Sequence, residues 1–87
     1  MKFTGEIISG EFDQTTDEFM LYQVKHLSTT TALNQEQFNS IYNYLSRHKH
    51  EMDGQILTLN EQMLVRLSPE ESDQFVEDLN QIRPLFH

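Results

Sequence analysis

The sequence predicts an α+β fold of order ββαββα: a four-stranded, mostly antiparallel sheet with two helices on one face. Three observations carry this. A helix-start signature occurs twice, as Leu33-Asn34-Gln35-Glu36-Gln37 and as Leu67-Ser68-Pro69-Glu70-Glu71. An apolar stripe at helical spacing follows each signature. Apolar, strand-like stretches precede each. The 87 residues make one domain, 1–87, with two echoing units, 1–50 and 51–87.

The second signature is a full set of start signals. Ser68 can accept from an unpartnered N–H at the helix start, Pro69 suits the first helical position, and Glu71 completes a capping box. Glu70 and Glu71 also offset the positive end of the helix dipole. In the first copy Asn34 is the cap, Gln37 its box partner, and Leu33 can staple onto Phe38. Aligning Asn34 with Ser68 matches Ile41 to Phe75, Tyr42 to Val76, Leu45 to Leu79 and His48 to Ile82. Upstream, Gly5-Glu6-Ile7-Ile8-Ser9 reads like Gly54-Gln55-Ile56-Leu57-Thr58, and Met20-Leu21 echoes Met63-Leu64. The offset shrinks along the chain, so the first unit must carry longer loops.

In chain order, Lys2 to Ser9 reads as a strand that can extend to Phe12. Gly10 to Glu18 is polar and turn-like. Phe19 to Leu27 supports two readings. Thr15 and Glu18 can box a short helix with Met20, Val24 and Leu27 on one face. Met20, Tyr22 and Val24 also alternate as in a strand, and the echo with the second unit favours the strand. Ser28 to Ala32 is a Thr-rich connection. Helix one runs from Gln35 to about Lys49. Gln55–Leu59 and Gln62–Leu67 are strands joined by a turn at Asn60-Glu61. Helix two runs from Pro69 to about Ile82, and Pro84 prevents continuation. Ile7 and Ile8 should point to opposite faces, as should Ile56 and Leu57, and Leu64 and Val65. Apolar side chains are therefore expected on the open sheet face, where a second copy or a partner could bind.

Composition bounds the function. There is no cysteine, which excludes disulfides and thiolate metal sites and fits a reducing compartment. No basic-then-apolar leader opens the chain and no apolar run could span a bilayer, so a cytoplasmic protein is expected. Fourteen acidic residues stand against 6 basic, for a net charge of −8. Direct contact with nucleic-acid phosphates or anionic membranes is disfavoured, since both need Lys and Arg.

No catalytic, cofactor or metal motif emerges. His48, His50, Glu51 and Asp53 are dense, but they lack the i,i+4 spacing that aims two His at one ion. At a helix C-terminus, that cluster reads as dipole compensation. Asp13, Asp17 and Glu18 lack calcium-loop intervals. The serines have no nucleophile-elbow setting. The pairs Glu70-Glu71 and Glu77-Asp78 are expected on an exposed helix face, without the burial or shared proton of catalytic carboxylates.

The expected function is therefore non-catalytic binding of another protein, as a regulator or inhibitor. The candidate contact residues are Glu70, Asp73, Glu77 and Asp78 on helix two, Tyr44 on helix one, and Ile56 and Leu64 on the strands. Glu70, Asp73 and Glu77 follow i, i+3, i+7 spacing, and such a carboxylate row can mimic a phosphate backbone before the basic groove of a nucleic-acid-binding protein. One alternative is a homo- or hetero-oligomer pairing through the open sheet face. Another is an enzyme-like homodimer with a small-molecule site between sheet faces.

Overall fold

The computed structural model describes residues 1–47, 54–59 and 63–86. The order is β1 Lys2–Thr4, β2 Ile8–Asp13, β3 Glu18–Val24, β4 Leu27–Leu33, α1 Gln35–Arg47, β5 Gln55–Leu59, β6 Met63–Leu67 and α2 Pro69–Ile82. A 3-10 turn, Arg83–Leu85, follows. Strands β1 to β4 form an antiparallel four-stranded sheet in sequence order, and β5–β6 form a separate antiparallel hairpin.

The α+β class and the four-stranded antiparallel sheet are as the sequence predicts; the membership of that sheet is different. All four strands come from the first 33 residues, giving ββββαββα. Two local readings account for the change. The stretch from Lys2 splits, because the chain reverses between Thr4 and Ile8. The Gly5 N–H donates to the Ile8 carbonyl at 2.9 Å and closes the turn. Ser28–Ala32 is also strand. Its threonines are β-branched and suit a pleated surface. The inward hydroxyls of Thr29 and Thr31 hydrogen-bond to each other at 2.8 Å, which lets polar side chains face the interior. Their polarity hid the alternation. Phe19–Val24 lies in a strand, as the echo favours, and the turn begins only after Asp13.

One face of the sheet is buried. Ile8, Phe12, Phe19, Leu21, Val24, Thr31 and Leu33 lie inward. Gly10 sits at an irregularity in the β2–β3 register, where a Cβ would collide with the Met20 carbonyl. The opposite face carries Glu11, Gln23, Ser28 and Thr30, with Met20 and Tyr22 among them. The expected apolar open face is therefore corrected for this sheet. Ile7 lies in the turn and is buried beside Ile8. The apolar inner faces of sheet and hairpin and the buried stripes of both helices make one core. Tyr42 on α1 donates its hydroxyl to Asn80 on α2 at 2.9 Å, and the Arg83 guanidinium sits 4.8 Å from the Tyr42 ring centre. Past Pro84, Phe86 packs on Phe12 and Phe38, each at 4.9 Å between ring centres.

The two strand-to-helix junctions keep one register of burial. Thr29, Thr30, Thr31, Ala32 and Leu33 have the same burial classes, in order, as Met63, Leu64, Val65, Arg66 and Leu67. Phe38 and Ser72 are both buried, as are Leu45 and Leu79. Hairpin plus helix thus occurs twice, as β3–β4–α1 and β5–β6–α2, with β1–β2 in front. The likeness of Gly5–Ser9 to Gly54–Thr58 falls outside this register.

Candidate functional site

Helix α2 is built as the sequence dictates. Ser68 is extended at φ −66° and ψ 166°, its hydroxyl accepts from the Glu71 N–H at 3.1 Å, and its own N–H donates to Glu71 Oε1 at 2.8 Å. The Asn34–Gln37 box on α1 has the same two bonds, at 2.8 and 3.0 Å. Glu71 has a second task. Its Oε2 pairs with Lys25 Nζ at 3.0 Å. The Ser68 N–H, then the Lys25 ammonium, hold the Glu71 carboxyl below its ordinary range.

Lys25 is a residue that the sequence reading missed. It sits in the two-residue turn between β3 and β4 with φ of 59°, a conformation uncommon for a non-glycine residue. Its N–H donates to the Ile7 carbonyl at 2.8 Å, and its Nζ donates to the Arg66 carbonyl at 3.0 Å. One side chain thus ties the four-stranded sheet to β6 and to the start of α2. Nothing in its neighbourhood, which lacks Gly and Asn, signals that turn.

The acidic row of α2 divides in two. Glu70, Asp73 and Glu77 are exposed, and no cation pairs with them among the described residues. Asp78 is corrected. It is 0 % exposed, so it cannot be a surface contact. Its Oδ1 accepts from the Glu6 N–H at 2.9 Å, and its Oδ2 from the N–H groups of Ile7 and Ile8 at 2.8 and 3.1 Å. A carboxylate that gathers three backbone donors is the internal anchor of the β1–β2 turn. Gly5 is part of this arrangement, because a Cβ there would collide with the Asp78 carboxylate. The signal was present: Asp78 follows Phe75 by three and precedes Ile82 by four, which is core spacing.

The other three candidates come together at the hairpin. Ile56 and Leu64 are exposed on its outer face, and Tyr44, also exposed, donates its hydroxyl to the Ile56 carbonyl at 3.2 Å. Tyr44 therefore braces α1 against the edge of β5. Leu57, Leu59, Val65 and Leu67 face the core, so the alternation expected for this hairpin holds.

The His48, His50, Glu51 and Asp53 cluster and the Asn60-Glu61 turn lie outside the described residues. Among the described residues no three His, Asp or Glu side chains gather as metal ligands. Two buried polar atoms there have no hydrogen-bond partner, Gln55 Oε1 and Ser72 Oγ. Gln55 Nε2 donates to the Leu45 carbonyl at 3.4 Å, which places that amide at the end of α1. No described helix is long and apolar enough to cross a membrane. No known protein family, characterised protein or solved structure matches the chain.

Proposed function

We propose that this is a non-catalytic binding protein of the cytoplasm. It presents Glu70, Asp73 and Glu77 to the basic groove of a nucleic-acid-binding protein and acts as a regulator or inhibitor by charge mimicry. The observation that carries this reading is the division of labour on α2. Glu71 and Asp78 are consumed by a capping box, an ion pair and three backbone donors. Among the described residues Glu70, Asp73 and Glu77 have no such partners, and they stand exposed in one row. Carboxylates repeating every three or four residues along a helix lie about 5–6 Å apart, close to the spacing of phosphates along one nucleic-acid strand. The net charge of −8 steers such a protein toward a cationic surface.

The experiment is capture from native lysate by immobilised wild-type protein, followed by elution with duplex DNA. The expected result is a basic nucleic-acid-binding protein that DNA displaces and rising salt releases. Bound proteins indifferent to DNA and to salt would count against the reading.

A further inference from the structure

The β5–β6 hairpin has one cross-strand pair blocked at both edges and an exposed outer face. Ile56 and Arg66 are direct cross-strand partners, and their carbonyls are taken from opposite sides, by the Tyr44 hydroxyl at 3.2 Å and the Lys25 ammonium at 3.0 Å. A strand adding to either edge at this pair must displace one of those donors. The outer face is different. It carries Ile56, Thr58, Leu64 and Arg66, with Ile56 48 % and Leu64 66 % exposed. The register sets Ile56 opposite Arg66 and Thr58 opposite Leu64. The two aliphatic side chains therefore occupy one diagonal of the face, and the hydroxyl and guanidinium the other. None of these four is acidic, on a chain of net charge −8. Two copies that repel elsewhere can approach here.

We propose that this face pairs with itself in a second copy, about a two-fold axis along the Ile56–Leu64 diagonal. That axis lays Ile56 on its counterpart and Leu64 on its counterpart. Each Arg66 then lies over the second copy's Thr58, whose hydroxyl can accept from the guanidinium. The other in-plane axes are worse. One parallel to the strands sets Arg66 on Ile56, and one across them sets Arg66 on Leu64, each desolvating a charge without an acceptor. The second diagonal stacks the two Arg66 side chains. The proposal is independent of the acidic row on α2.

The face is small. Five-residue strands span about 17 Å and lie about 4.8 Å apart, well short of the roughly 800 Å² per partner of a stable complex. The association is therefore weak and concentration-dependent. Sedimentation equilibrium from about 5 µM to about 1 mM should show monomer at the low end and dimer at the high end. Added salt should favour dimer, by screening the like charges. The chain has no cysteine, so single-cysteine variants report the axis. Facing sheets lie about 10 Å apart, too far for a direct disulfide, so a short bismaleimide is the bridging reagent: at the high concentration, L64C and I56C should cross-link. T58C, which faces Arg66, and Y22C, on the exposed face of the four-stranded sheet, should not. A monomer at every concentration overturns the proposal, and so does cross-linking of T58C or Y22C as fast as L64C.

Discussion

Two acidic residues of α2 show how position decides what a carboxylate does. Asp78 is buried and accepts three backbone N–H groups from a segment 70 to 72 positions away in sequence. Truncating one partner of a buried, charge-assisted network leaves the donors unmet. Asp78→Ala is expected to cost about 3 kcal/mol or more of unfolding free energy, read from urea melts. Asp78→Asn should also destabilise, since its amide NH₂ meets donors where an acceptor is needed. A variant as stable as wild type would remove Asp78 as the anchor. Glu71 makes a pH-dependent contribution. Its folded carboxyl is held below the ordinary range, so its stabilisation is present above the unfolded value and lost as pH falls through the folded one. Wild type should exceed Glu71→Gln in stability near neutral pH, and the gap should close in acid. A gap constant with pH would contradict the assigned ion pair and cap.

At the scale of elements, the two strand–cap–helix junctions are one device used twice. Ser68→Ala and Asn34→Ala should each lower stability by about 1 kcal/mol, measured by thermal or urea unfolding. A negligible loss at both sites would mean that packing alone sets the helix starts. These junctions were legible because their signals are local: a cap, its box partner three residues on, and a periodic stripe. The β5–β6 hairpin was legible for the same reason, through the alternation of Ile56, Leu57, Thr58 and Leu59. The front of the molecule was not. The reversal at Gly5 depends on Asp78, which is distant in sequence, and the turn at Lys25 uses a left-handed conformation that its side chain does not advertise. β4 was obscured because Thr29 and Thr31 satisfy each other and face inward. Of the candidate contact residues, Glu70, Asp73, Glu77, Tyr44, Ile56 and Leu64 are exposed as the periodicity implies. Asp78 departs from that pattern because its position has core spacing and three backbone N–H groups meet its charge.

At the scale of the molecule, two side chains tie β6 and α2 to the four-stranded sheet. Lys25 links the sheet to β6 and α2 from one side, and Asp78 links α2 to the β1–β2 turn from the other. In the proposed function, the outward side of α2 carries Glu70, Asp73 and Glu77 toward the partner. The measurement that tests this most directly is partner capture and urea unfolding of the triple variant E70K/D73K/E77K, run beside wild type. These three side chains are exposed and unpaired among the described residues, so stability should fall only by the helix-dipole contribution of Glu70, about 0.3–1 kcal/mol. The account predicts an intact fold and loss of the DNA-displaceable partner. Undiminished capture by the folded triple variant would contradict it.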